Sequence, residues 1–133
     1  MTRLSKTPPP PSEEDAALVR DYVTYSVLLA CANRDLRTLR TLDLKLSSLY
    51  IHSLDEVKKD ITEHRRRIQL QLRRHGIRLY REERCAYGIE AHYLCRGFTC
   101  SLVAEWAEMK PIWIHLMMNH IMNQVSPGTQ TDC

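Results

Sequence analysis

Residues 65–81 read Arg-Arg-Arg-Ile-Gln-Leu-Gln-Leu-Arg-Arg-His-Gly-Ile-Arg-Leu-Tyr-Arg, and the fold turns on how they are read. Up to His75, Ile68 and Leu72 continue a helical spacing set by Leu54, Val57 and Ile61. Gly76 offers the left-handed conformation that ends helices, and beyond it Ile77, Leu79 and the β-favouring Tyr80 suit an extended chain. A helix that gives way at once to strand predicts an α+β chain, mostly α.

Upstream, Ser12 followed by Glu13, Glu14 and Asp15 marks a helix start, because a hydroxyl caps free amides and carboxylates complement the positive end of the helix dipole. Leu18, Tyr22, Tyr25, Leu29, Ala32, Leu36, Leu39, Leu46 and Tyr50 then follow at spacings of three and four, with Asp43 the one polar residue in register. No Gly or Pro interrupts residues 12–75, so the seam reads as one helix of nearly forty residues or as two broken around Asn33 to Asp43. The next helix is expected from Ser53 as cap, with Asp55 and Glu56 in its first turn, to the stop at Gly76. Together they make a long helical hairpin.

Downstream, Ile89, Tyr93 and Leu94 face Ile77 and Leu79 across the turn-prone Cys85-Ala86-Tyr87-Gly88, which predicts a two-stranded antiparallel β-hairpin over 77–84 and 88–95. Arg78, Arg81, Glu82, Glu83 and Glu90 supply opposite charges that can pair across it. Arg96-Gly97 closes the ribbon, with Thr99 or Ser101 as the cap of a last helix. Leu102, Val103, Trp106, Met109, Ile112, Trp113, Leu116, Met117 and Ile121 fall at helical spacing there, with a kink or restart near Lys110 because Pro111 lacks an amide donor. This Trp and Met stripe suits the core better than a partner groove.

The 133 residues and 44% hydrophobic content suit a single domain. Residues 12–124 are assigned to it. Pro8 to Pro11 cannot join a helix or central strand, so 1–11 is expected to be an extended, disordered Pro-rich tail, and 125–133 a second disordered tail. No apolar run is long enough to span a bilayer and no signal-like segment opens the chain, which points to a cytoplasmic protein with no membrane partner. In that compartment the five cysteines, none in a C-x-x-C pair, are expected to stay reduced.

Charge is uneven along the chain. Residues 1–57 sum to −1, 58–84 to +6 with ten basic side chains against four acidic, and 85–133 to −2. Between 65 and 81 seven arginines stand without an acid among them. At 100° per residue, Arg66, Arg67, Arg73 and Arg74 lie opposite Ile61, Ile68 and Leu72, while Arg65 borders the apolar side. Arg78 and Arg81 extend the track onto the ribbon. Guanidinium groups suit bidentate phosphate contacts, so Arg66, Arg67, Arg73, Arg74, Arg78 and Arg81 are the candidate anion or nucleic-acid residues. The same residues also suit a solvated face, on which Glu63 pairs with Arg66 and Arg67.

Other chemistry has less to stand on. His92, Cys95 and Cys100 are the nearest metal-ligand cluster, but on a strand His92 and Cys95 point to opposite faces, and His115 and His120 miss the i, i+4 spacing; no metal and no cofactor are expected. A Gly-rich phosphate loop, H-E-x-x-H and G-x-S-x-G are all lacking, so the chain reads as no enzyme.

Arg73-Arg74-His75-Gly76-Ile77-Arg78-Leu79-Tyr80, Tyr93-Leu94-Cys95-Arg96-Gly97-Phe98 and the early Asp21-Tyr22 resemble a group of small uncharacterised proteins of Bacillus and Paenibacillus-type bacteria, over most of the chain. That resemblance implies a bacterial cytosolic domain and contributes no catalytic residue. Two functional readings follow. One is a non-enzymatic interaction module, with a protein partner or self-association as a homodimer through the Tyr22 to Tyr50 seam. The other is a regulatory protein that lays its arginine face along DNA or RNA, a helix followed by a ribbon being the layout of a winged helix.

Overall fold

The structure, a computed structural model, describes residues 8–131, with side chains up to Asn119. Residues 1–7 of the expected N-terminal tail, residues 132–133 of the C-terminal one and the side chains of 120–131 lie outside the described residues. The elements run α1 (Glu13–Thr41), α2 (Ser47–Arg74), β1 (Ile77–Arg84), β2 (Gly88–Cys95), β3 (Phe98–Glu105) and α3 (Trp106–Thr131).

Ser12 caps α1 in a full capping box: its Oγ accepts from the Asp15 amide at 3.3 Å and Asp15 Oδ2 accepts from the Ser12 amide at 2.9 Å. The long seam divides into two helices, with the break at 42–46. α2 starts at Ser47, six residues before the expected cap at Ser53, which is buried inside the helix. Ser53-Leu54-Asp55-Glu56 looks like a capping box because its residue types match one, but the chain there is already helical. The buried stripe of α1 is Val19, Val23, Leu28, Ala32 and Leu36: Ala32 and Leu36 belong to the expected seam, whereas Val19, Val23 and Leu28 each lie one position from the expected Leu18, Tyr22 and Leu29. Leu18, Tyr22, Tyr25 and Leu29 flank it half-buried, since α1 is covered on one side by α2 and on the other by the sheet and α3.

The sheet has three strands and not two, in the antiparallel order β1-β2-β3. Phe98–Glu105, expected to begin the last helix, is a strand that returns along β2 from Cys95↔Phe98 to Gly88↔Glu105. Arg96 (φ 49°) and Gly97 (φ 91°) both take positive φ, which matches a two-residue turn whose twist suits a hairpin. Leu102, Val103 and Trp106 mimic helical spacing. The deciding signal is period two: Cys100, Leu102 and Ala104 turn toward the interior while Thr99, Ser101, Val103 and Glu105 stay exposed. A bulge at Tyr80 shifts the β1–β2 register between Leu79 and Arg81.

Helix α3 follows β3 without a loop, and its first amide, from Trp106, donates to the Tyr87 carbonyl at 2.8 Å. It runs through Pro111 as one helix, so no restart occurs there; the missing amide leaves the Ala107 carbonyl without its intrahelical partner. The core runs the length of the hairpin. At the sheet end Val19 and Val23 pack with Leu72, Ile77, Ile89, Tyr93 and Met109; in the middle Leu28 meets Val57, Ile61 and Leu116; at the far end only Ala32, Leu36 and Leu54 are fully buried. Past Leu36 and Leu54, Leu39 and Ile51 are only partly buried, and among the described residues no apolar side chain from 37 to 53 is fully buried.

Candidate functional site

Helix α2 carries five of the stripe arginines, and tertiary contacts divide them. Arg65 turns inward, its Nε donating to Ser26 Oγ at 2.8 Å and its Nη2 to Tyr22 Oη at 2.9 Å, with the guanidinium 4.9 Å from the centre of the Tyr22 ring. It ties α2 to α1. Arg66 and Arg67 share Glu63, at 2.8 Å and 3.2 Å, and the hydrogen bond from Arg66 holds the Glu63 carboxyl below its usual pKa. On β1, Arg81 pairs with Glu83 along its own strand, not across the ribbon. Asp35 does not reach the stripe; it lies 3.6 Å from its neighbour Arg34.

Arg73, Arg74 and Arg78 remain exposed and, among the described residues, without an ion pair. They do not share one surface. Arg73 and Arg78 line a hollow with Tyr22 and Gln69, whereas Arg74 lines another with Glu14, Asp21, Gln71 and His75. Burial there raises the Asp21 pKa. The six candidates thus reduce to a pair of open guanidiniums, a single one facing carboxylates, and three that already hold an acid.

One arginine outside the expected set has the most specific environment. Arg96, in the β2–β3 turn, sends Nη2 to Asp15 Oδ2 at 2.6 Å and to the Pro10 carbonyl at 3.0 Å, Nη1 to the His75 carbonyl at 2.6 Å, and Nε to the Pro9 carbonyl at 2.8 Å. Its own amide donates to the Gly76 carbonyl at 2.9 Å. A single guanidinium therefore binds the start of α1, the end of α2, the hairpin turn and the proline run. Pro9 and Pro10 are held by it, not free as the tail reading expected. The Asp15 side chain is 5% exposed, and Arg96 holds its carboxyl far below the usual range against the opposing cost of burial. In sequence, Arg96 was read only as closing the ribbon with Gly97 and as part of the resembling Tyr93 to Phe98 stretch, and its partner lies 81 positions away. No local pattern could connect the two.

The opposite end of the hairpin is apolar and open. Leu42, Leu44, Leu46, Leu49 and Tyr50 are each 45 to 54% exposed, although Leu46 and Tyr50 were expected in the buried seam. The α1–α2 connection and the first turn of α2 carry them beyond the last described core layer of Ala32, Leu36 and Leu54.

A family model described as YhjD protein matches residues 10–126. The chain belongs to the YhjD protein family. The YhjD match starts within the proline run that Arg96 holds and takes in the clasp, the arginine stripe and the hairpin tip alike. No curated protein and no solved structure resembles the chain closely enough to count as a match.

Two further features of this YhjD-family fold have chemical potential. Glu83 and Glu90 face each other across β1 and β2, and with His92 they bring three donor atoms within 4.8 Å of one another. Those oxygen and nitrogen donors fit a divalent cation. Both carboxylates are already engaged, however, Glu83 by Arg81 and Glu90 by the 3.1 Å contact with His92 Nε2. Sequence reading placed its metal test at His92, Cys95 and Cys100 and missed this set, because strand register brings Glu83 to Glu90. Between α1 and α3, Val27, Leu28, Cys31, Trp106, Met109 and Trp113 line an apolar groove of about 420 Å³ with Arg34, Asp35 and Lys110 at its edge. No helix among the described residues is long and apolar enough to cross a membrane.

Proposed function

We propose that this chain is a small non-enzymatic interaction module of the bacterial cytoplasm, and that its contact surface is the apolar tip of the α1–α2 hairpin. The observation that carries the reading is the run of five large apolar side chains in the nine residues 42–50, all about half exposed. Single exposed leucines are ordinary, but five exposed large apolar side chains within nine residues cost solubility and suit a surface that another molecule covers. The hollows support the same reading. Among the described residues, Cys31 lines a groove with no histidine on its wall, and His75 lines one with no thiol or hydroxyl nucleophile. A photo-crosslinking amino acid at position 46 is expected to give discrete protein adducts in cells. The same probe at exposed Glu105 should give none, and Leu44→Ser with Leu49→Ser should abolish those from position 46. A tip that yields no more adducts than position 105 ends this reading.

A regulatory nucleic-acid role draws on a narrower observation: Arg73 and Arg78 converge on one hollow with neither guanidinium committed to an acid. If Arg73 and Arg78 grip a phosphate backbone, the logarithm of affinity should fall against the logarithm of salt with a slope of roughly −2, the value for two released counterions. Arg73→Gln with Arg78→Gln should flatten that slope. Fluorescence anisotropy showing no binding to duplex or single-stranded DNA or RNA at about 50 mM salt, where such contacts are strong, eliminates the role.

A further inference from the structure

We propose that the molecule covering the hairpin tip is a second copy of this chain, docked about a two-fold axis beside Leu44. This rests on the reading of the tip as a contact surface and names its partner. The segment Leu42-Asp43-Leu44-Lys45-Leu46 places opposite charges at equal distances on either side of Leu44. In a two-fold contact the same patch meets itself, so a residue on one side of the axis meets its counterpart from the other side. With the axis at Leu44, Asp43 of each copy comes against Lys45 of the other, and the leucines meet between the two ion pairs.

Three observations favour this occupant over others. Neither Asp43 nor Lys45 has an ion pair within the chain, among the described residues, so both charges stand ready for an outside partner. The first turn of α2 contains no acid, and its cap Leu46 offers no side-chain acceptor, so the positive end of that helix dipole is uncomplemented beside the tip. An aspartate arriving across the axis supplies the missing negative charge. Finally, 42–50 carries one acid and one base and is neutral, whereas an element that settles on an anionic membrane surface gains from an excess of Lys and Arg. The coiled-coil seam expected to join two copies is not the surface for this, since its Leu18 to Leu39 portion is packed within the chain.

The test is sedimentation of the full chain at about 10 to 500 µM, the range suited to a small interface of the transient class, with circular dichroism confirming that each variant keeps its helices. The mass of the wild type is expected to rise from 15.6 kDa toward twice that value with concentration. Leu44→Ser with Leu46→Ser should weaken association at least about tenfold, through the apolar area it removes from the contact. Asp43→Lys alone and Lys45→Asp alone should each weaken it, because every crossing then sets like charges together. The double swap Asp43→Lys with Lys45→Asp should restore association, and a mixture of the two single variants should form the mixed dimer in preference to either homodimer. A wild type that stays monomeric throughout overturns the proposal, as do single charge variants that associate as tightly as wild type. Should the monomeric chain still give crosslinks from position 46 to a different protein, self-association falls while the module reading stands. Pelleting of a monomeric chain with phosphatidylglycerol vesicles would overturn self-association and assign the tip to lipid; no crosslinks and no vesicle binding would end both.

Discussion

Asp15→Asn is expected to destabilise the chain by about 3 kcal/mol, the cost of stripping the counter-charge from a buried ion pair, and to lower the melting temperature by roughly 10 °C. The carboxylate accepts from the Ser12 amide, the Ser12 hydroxyl at 3.1 Å and the Arg96 guanidinium, so the neutral amide weakens the capping box and leaves the cation without its acid. The pH dependence gives the effect a signature. Arg96 holds the folded-state carboxyl well below its ordinary value of 3.8, so its stabilisation is fully present above about pH 4 and is lost as pH falls further. The gap in urea midpoint between wild type and Asp15→Asn should therefore be largest near neutrality and narrow on acidification below about pH 4. A gap that is absent at pH 7, or unchanged at pH 3, would show that the clasp does not hold the fold together.

Gly88→Ala is expected to be at least as damaging, costing more than about 3 kcal/mol or preventing folding altogether. A Cβ at position 88 would stand 1.9 Å from the Ala104 carbonyl oxygen and 2.8 Å from its carbon. Both atoms belong to the backbone of the neighbouring strand and cannot swing aside as a side-chain end could. The collision would pry β3 from β2 where the Trp106 amide is bound to the Tyr87 carbonyl, and so would release the start of α3 as well. Gly97→Ala is the control: its Cβ would enter open space, and only the positive φ makes it unfavourable, by about 1 kcal/mol. Chemical denaturation that ranks Gly97→Ala as the worse of the two would contradict the β2–β3 register.

The stops and starts written between chain neighbours were legible in the residues themselves. Ser12 with Asp15 caps α1 because the interacting atoms are three residues apart, and Gly76, with φ of 67°, ends the helical hairpin because the required backbone conformation is a property of glycine itself. The pairing of Glu63 with Arg66 and Arg67 was equally readable from one turn of helix. The strand at 98–105 was misread because short apolar runs satisfy both helical and extended spacing, and the alternation that separates them becomes decisive only once a buried face exists to receive it.

What the sequence by itself determined about this protein is its α+β class, the end of the helical hairpin at Gly76, the first β-hairpin and the concentration of positive charge between 65 and 81. Only the tertiary structure decided which of those arginines remain open, why Arg96 matters more than any of them to the fold, and that the leucines from 42 to 49 stay about half exposed. The physical reason is distance along the chain. Caps, turns and helix-surface pairs act over three or four residues, whereas burial and a clasp across 81 positions depend on where separate elements come to rest against one another.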